Sequence, residues 1–269
     1  MSCETINPNL DGSDKLFSMV ELEHAIENLY KVFSRYRKPR VIEVCPCGCT
    51  REHVIAGLLD VPLTNLSLRD LMLYSADAMT TVGTEVDFKY FLPRMLHLIT
   101  IEEYGYDVDF LFGKLRYARW HTWPEDERAA VREYLRALWF QTLDQYPLVL
   151  RTPSLTYVGD LVSGIGSTGE DLSWYLAQWE ESDSPASTWN LAELVLEVAN
   201  DLKEYGQVKF AFWDKLPQQV EQLSIWLKRP AVLRRLRNAD LAAVTESLRP
   251  ESIPEALLGL EQAISRTQC

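Results

Sequence analysis

Apolar side chains recur at intervals of three and four residues along most of the chain, and this spacing is the strongest constraint on its fold. One stretch has apolar residues at Leu191, Leu194, Val195, Val198 and Leu202, positions that lie on one face of an α-helix. Strand signals are almost absent, because no hairpin turn separates runs of alternating β-branched residues. The sequence therefore predicts an all-α fold.

The same spacing predicts about ten to twelve helices. They are expected near residues 16–33, 50–59, 67–79, 88–99, 109–119, 124–145, 154–162, 171–180, 191–205, 214–228 and 253–265. Ser67 and Thr122 are the expected caps of the helices that follow them. Because no fixed-period repeat is visible, the helices should form either an irregular multi-helix bundle or a degenerate, HEAT-like superhelical stack.

Changes in composition divide the chain into three predicted parts. Residues 1–15 form a polar tail, residues 16–146 an N-terminal helical subdomain that carries a cysteine cluster, and residues 147–269 a C-terminal helical subdomain. The border is placed where Pro147 and Pro153 bracket an apolar run too short for a helix.

The chain is acidic, with 27 Lys and Arg residues against 39 Asp and Glu residues and a net charge of −12. This charge disfavours nucleic acid and anionic membranes as partners, because both need counter-charge from the protein. Residues 151–221 hold four basic and twelve acidic residues, a net charge of −8. The candidate contact residues in this segment are Trp179, Glu180, Glu181, Asp183 and Trp189. The pattern predicts an acidic aromatic surface for a basic protein partner, and the alternative is a face that only keeps the protein soluble.

The N-terminal residues are polar and acidic, where an export signal needs a basic start followed by an apolar run. No apolar stretch approaches the roughly 18–20 residues that a membrane-spanning helix needs. We therefore expect a cytoplasmic protein without a membrane partner.

Three of the five cysteines lie within five positions, and a histidine follows them. The residues are Cys45, Cys47, Cys49 and His53. Three thiolates and one imidazole could complete a tetrahedral zinc site, although zinc ligands are usually separated by two to four residues. Buried thiols in a tight turn are a second interpretation. A redox switch is the third, since a helix start at Thr50 would lower the pKa of Cys49.

The segment from Gly164 to Gly169 matches G-x-G-x-x-G by letter, but no strand pattern precedes it as a dinucleotide site requires. A flexible loop between two helices is the preferred interpretation, and an enzyme that holds a phosphate group there is the least favoured alternative. The histidines at positions 24, 53, 97 and 121 form no recognisable catalytic signature. The sequence therefore predicts no enzymatic activity.

Several short motifs resemble those of a group of uncharacterised bacterial proteins. They are Cys45-Pro46-Cys47 with Cys49, residues 66–71, 78–83, 87–94 and 113–115, and Trp123-Pro124. The resemblance covers less than half of the chain and implies a bacterial, cytosolic, helical protein with no assigned activity. Gly48 separates cysteines that are adjacent in that family, so a ligand role is not carried over.

These features together predict a cytosolic protein-binding protein without a cofactor. Its expected function is that of an immunity protein, which neutralises a cognate bacterial toxin domain through the acidic aromatic surface. The alternative function is that of a zinc-binding or thiol-based regulatory protein centred on the cysteine cluster.

Overall fold

The computed structural model describes residues 11–48, 52–101, 108–148, 155, 157–239 and 251–267. Within these ranges the chain forms α-helices and three short 3₁₀ helices, and no β-strand. The α-helices are α1 (Asp11–Phe33), α2 (Glu52–Gly57), α3 (Leu68–Asp77), α4 (Glu85–Ile101), α5 (Val108–Tyr117), α6 (Glu125–Leu143), α7 (Val158–Ser167), α8 (Ser173–Glu181), α9 (Pro185–Tyr205), α10 (Pro217–Leu227), α11 (Pro230–Arg237) and α12 (Ser252–Thr267). The predicted all-α fold is confirmed.

Two predicted helix caps, Ser67 and Thr122, lie within the described residues; the first is confirmed and the second is wrong. The Ser67 hydroxyl accepts a hydrogen bond from the backbone N–H of Asp70, and the Asp70 carboxylate accepts one from the backbone N–H of Ser67, so α3 begins with a capping box. Helix α6 begins at Glu125, after Pro124 rather than after Thr122. The Thr122 hydroxyl instead donates to the carbonyl oxygen of Arg119 at 2.9 Å.

The largest helix–helix interfaces join helices that are distant along the chain. Helix α9 packs against α12, α1 packs against α6, and α5 packs against α7. In a superhelical stack each repeat contacts only its neighbours along the chain. Of the two predicted architectures, the structure is therefore the irregular multi-helix bundle.

The hydrophobic core continues across the predicted border between the two subdomains. The Trp139 ring in α6 meets the Trp179 ring in α8 edge to face, with 5.4 Å between ring centroids. The indole N–H of Trp120 donates to the carbonyl oxygen of Thr168 at 3.0 Å. The two predicted subdomains are therefore packed against each other through buried side chains.

Helix α9 shows how an amphipathic helix contributes to the core. In α9, Glu197 and Glu204 are exposed, whereas Leu194, Val198 and Leu202 on the opposite side are buried. Across the described ranges, no helix has both the length and the apolar character that crossing a membrane requires.

Candidate functional site

The turn between α8 and α9 carries the acidic residues that the sequence singled out. Helix α8 ends at Glu181, and α9 begins at Pro185, a residue type suited to the first turn of a helix because it has no N–H to satisfy. Asp183 lies in the short connection between them. Glu180, Glu181 and Asp183 are all exposed, so the structure places these three carboxylates together at one corner of the bundle.

Trp179 and Trp189 were predicted as contact residues, but an exposed role for them is wrong. Trp179 is fully buried, and its indole N–H donates to the carbonyl oxygen of Ser187 at 2.9 Å. Trp189 is 1% exposed and packs on the ring of Tyr146. Both rings point into the core because helical periodicity, rather than the acidic residues next to them in the sequence, decides which way a side chain faces.

Arg235 from α11 holds the α8–α9 turn in place, and the sequence analysis missed it. Its guanidinium donates to the carbonyl oxygens of Trp179 at 2.5 Å and Ser182 at 2.7 Å, to the hydroxyl of Thr188 at 2.9 Å, and to the hydroxyl of Ser187. Burial lowers the pKa of Arg235, and the nearby charge of Asp183 opposes that effect. The basic cluster of α11 was visible in the sequence, but the partners of this arginine lie about 50 residues earlier.

The Glu180 carboxylate is already hydrogen-bonded within the molecule. Its carboxylate accepts hydrogen bonds from the indole N–H of Trp226 at 3.2 Å and from the Arg229 guanidinium at 3.1 Å. Glu181 accepts only a side-chain bond from Gln178, and Asp183 forms no ion pair with another described residue. Of the three predicted carboxylates, Glu181 and Asp183 are therefore the ones available to a partner.

A cleft of about 340 Å³ opens between the α8–α9 turn and helices α10 and α11. Its lining includes Glu180, Asp183, Thr188, Trp189, Trp226 and Arg235. The carboxylates and the guanidinium give it mixed charge, and Pro185 and Ala231 contribute accessible apolar surface. A cleft of this kind suits a side chain with an apolar stem and a charged end, such as lysine or arginine.

Further exposed carboxylates lie on α9, on α10 and in the connection between these helices. The exposed acidic residues that form no ion pair with another described residue include Glu181, Asp183, Glu197, Glu204, Asp214 and Glu221. We call these six residues the acidic surface. Because their charges are not neutralised internally, they contribute to the field that a partner meets.

The cysteine cluster is only partly within the described residues. Cys45 is a half-buried free thiol whose backbone N–H donates to the carbonyl oxygen of Thr81 at 2.8 Å. Cys47 is disulfide-bonded, and a sulfur in that state is not a thiolate ligand. His53 is exposed on α2, whereas Cys49 and the predicted cap Thr50 lie outside the described residues. The described part of the chain contains no group of three or more residues able to hold a metal ion.

The predicted loop at residues 164–169 is wrong, because Gly164 and Gly166 lie inside α7. A Cβ atom at Gly166 would come within 2.1 Å of the Trp213 ring, and one at Gly164 within 2.9 Å of the Phe112 ring. These glycines allow neighbouring aromatic rings to approach the helix backbone. They do not form a turn around a phosphate group.

A comparison of the chain with protein-family models, with curated proteins and with solved structures finds no match. The site must therefore be interpreted from its own residues.

Proposed function

We propose that this chain is a protein-binding protein that captures a basic partner protein through the acidic surface. The observation that carries the proposal is the set of six exposed carboxylates, which form no ion pair within the described residues. Unneutralised charge of one sign raises the rate of encounter with a partner of the opposite sign and disfavours other partners.

The cleft beside Asp183 provides a specific point of contact within this surface. A lysine or arginine of the partner would place its charge near the Asp183 carboxylate and its stem along Pro185 and Ala231, which line the cleft. The α8–α9 turn is fixed by Arg235, so little ordering would be needed on binding.

For the partner class, we propose a basic toxin domain, which makes the chain an immunity-type protein of the bacterial cytoplasm. Binding would neutralise such a toxin by covering the basic surface that it presents to its own target. The exposed carboxylates support a basic partner. That this partner is a toxin is a narrower proposal.

Native mass spectrometry of the protein purified from its host tests the proposal. The variant is Glu181→Lys with Asp183→Lys, and Glu180 is kept because it bonds to Trp226 and Arg229. The control is Glu21→Lys with Glu23→Lys, which makes the same charge change at exposed positions on α1.

We expect a basic polypeptide to be bound to the wild type and to the control, and to be lost from the Glu181 and Asp183 variant. A partner retained equally by all three proteins, or a partner that is not basic, would contradict the proposal.

A thiol-based regulatory protein is the second candidate, and the state of the cysteine cluster favours it. Cys45 is a free thiol two residues from the disulfide-bonded Cys47. Attack of the Cys45 thiolate on the Cys47 sulfur would form a new disulfide and release the former partner of Cys47 as a thiolate. Disulfides of cytosolic proteins are usually transient and redox-sensing.

This second candidate predicts that the number of free thiols changes with the glutathione redox potential, and that Cys45→Ser removes the exchange. If zinc is involved, elemental analysis of the reduced, untagged protein will detect it. A constant thiol count at all potentials, together with no metal, would exclude this function.

A further inference from the structure

A cluster of positive charge lies where the end of α5, the start of α6 and the connection between α7 and α8 meet. We call it the arginine cluster and define it as Arg116, His121, Arg128, Arg132 and Glu170. The Arg132 guanidinium donates to the Glu170 carboxylate at 3.0 Å, and the Arg128 guanidinium donates to the carbonyl oxygen of His121 at 3.2 Å. Glu170, the one carboxylate of the cluster, is thus paired with Arg132.

The side chains of Arg116 and His121 both lie close to the backbone of Gly169. Gly169 has a φ of +80°, and a Cβ atom built there would lie 3.4 Å from His121 Nε2 and 3.5 Å from Arg116 Cδ. Gly169 precedes Glu170, which pairs with Arg132. Side chains from α5, from the segment before α6, and from α6 thus converge on one short stretch of backbone.

The arginines of the cluster have more donors than the protein supplies acceptors. The Arg116 side chain forms no hydrogen bond or ion pair with any described residue, and its Nε is buried. The Nε of Arg128 is also buried without an acceptor, although its terminal nitrogens bond to His121 and Glu125. Buried N–H groups without an acceptor are costly, so these two Nε groups are the donors of the cluster that an anionic ligand would satisfy.

Aromatic packing holds the cluster in position. The Arg132 guanidinium lies 5.3 Å above the Trp120 ring, and the His121 ring stacks on the same tryptophan with 4.4 Å between centroids. Trp120 is itself buried and bonded to Thr168. A site whose donors are fixed before binding loses less conformational entropy when a ligand arrives.

We propose that the arginine cluster binds a phosphate-type oxyanion. Guanidinium groups on different elements can donate to different oxygens of a tetrahedral anion, and such charge-assisted bonds are strong. One oxygen of Glu170 is buried without a donor, which suits a hydrogen phosphate because that ion can donate as well as accept. This site is independent of the acidic surface and of the function proposed for it.

Isothermal titration calorimetry with inorganic phosphate, at constant ionic strength, tests the site on the full chain. The informative variant is Arg116→Gln, and Arg116→Lys keeps the charge but removes the Nε donor. The matched control is Arg119→Gln, which removes a charge at an exposed position three residues away. Circular dichroism confirms that each variant is folded, which is expected because the Arg116 side chain bonds to no described residue.

We expect saturable phosphate binding that weakens by roughly tenfold to a hundredfold in Arg116→Gln, as loss of a charge-assisted hydrogen bond predicts. Arg116→Lys should give an intermediate loss, and Arg119→Gln should change the affinity by less than about threefold. No saturable binding, or an equal loss in Arg116→Gln and Arg119→Gln, would overturn the proposal.

A parallel titration with phenyl phosphate identifies the source of the anion. Binding of both compounds indicates a phosphate carried on a larger molecule, and binding of inorganic phosphate alone indicates the free ion. Both results support an oxyanion site and assign its ligand.

Discussion

The buried carboxylate of Glu127 shows how strongly a single side chain can connect helices. Glu127 on α6 is fully buried, accepts a hydrogen bond from the Tyr36 hydroxyl at 2.6 Å, and lies 3.1 Å from the Lys89 ammonium on α4. Lys89 in turn lies above the Trp123 ring. Lys89 also lies 3.1 Å from the Glu85 carboxylate. Its buried charge is therefore balanced by two carboxylates, of which Glu127 is the fully buried one.

We predict that Glu127→Gln lowers the free energy of unfolding by about 1–3 kcal/mol, because it removes the fully buried counter-charge of Lys89 and leaves only the partly exposed Glu85 carboxylate beside it. Urea denaturation measures the change. The neighbouring Asp126→Asn is the control, since Asp126 is exposed and pairs with Arg35 at the surface; such pairs contribute little. Similar losses in both variants would contradict this account.

His97 on α4 is a half-buried histidine with a lowered pKa. Burial is the main cause, and the positive charge of Arg94 adds to it. The hydroxyl of Tyr30 lies 3.3 Å from its Nδ1. Below the ordinary histidine pKa of 6.5, the unfolded chain gains a proton at this position before the folded protein does. Protonation therefore favours unfolding.

We predict that wild-type stability decreases between about pH 7 and about pH 5 by more than that of His97→Gln. The direction follows from the lowered pKa of His97. Its contribution to the free energy of unfolding is complete above pH 6.5, and it is lost as the pH falls toward the pKa of His97 in the folded protein. His24→Gln, at an exposed position on α1, should keep the wild-type pH dependence. Parallel pH profiles for the wild type and His97→Gln would contradict the assignment.

At the level of the helices, Gly166 shows why a sequence motif was misread. Its position in α7 lets the Trp213 ring lie directly against the backbone, where the indole N–H donates to the carbonyl oxygen of Ser163 at 3.0 Å. The glycine spacing resembled a phosphate-binding loop, but nothing in the local sequence shows that an aromatic ring about 50 residues later fills the space.

We predict that Gly166→Ala lowers the free energy of unfolding by about 1–3 kcal/mol, because the added methyl group overlaps the buried Trp213 ring. Gly113→Ala in α5 is the matched control, since a Cβ atom there meets nothing within 4 Å. That change should stabilise the protein by up to about 1 kcal/mol through helix propensity. Thermal unfolding of both variants gives the comparison, and a neutral Gly166→Ala would be incompatible with the close approach.

Helical periodicity predicted most elements but missed the start of α9. The apolar stripe begins at Leu191, whereas the helix begins at Pro185. The first turns contain Ser187 and Asn190, which look like surface residues in the sequence and are fully buried. Asn190 donates to the carbonyl oxygens of Thr142 and Gln145, and such distant bonds cannot be inferred from local spacing.

For the molecule as a whole, the spacing of apolar residues predicted the fold class, whereas the arrangement of the helices depends on long-range contacts. The packing of α9 on α12 places Ala199 beside Gly259, a contact between segments sixty residues apart. The sequence identified the carboxylates of the α8–α9 turn. It could not show that Glu180 is bonded to Trp226 and Arg229, because those partners become neighbours only on folding.

Charge is also segregated across the whole molecule. The acidic surface carries unpaired carboxylates on α8 to α10, and the arginine cluster carries unsatisfied donors between α5 and α6. The net charge of −12 does not reveal that acidic and basic groups are concentrated on different elements. The two sites that we propose, for a basic partner and for an anion, are therefore formed by different elements.

The most direct test of the central claim is the association rate constant with the captured basic partner, measured by stopped-flow at increasing ionic strength. We predict a rate that falls steeply with salt for the wild type and for the Glu21→Lys, Glu23→Lys control, and a shallower dependence for Glu181→Lys with Asp183→Lys. An association rate that does not change with salt, or the same dependence in all three proteins, would contradict capture through the acidic surface.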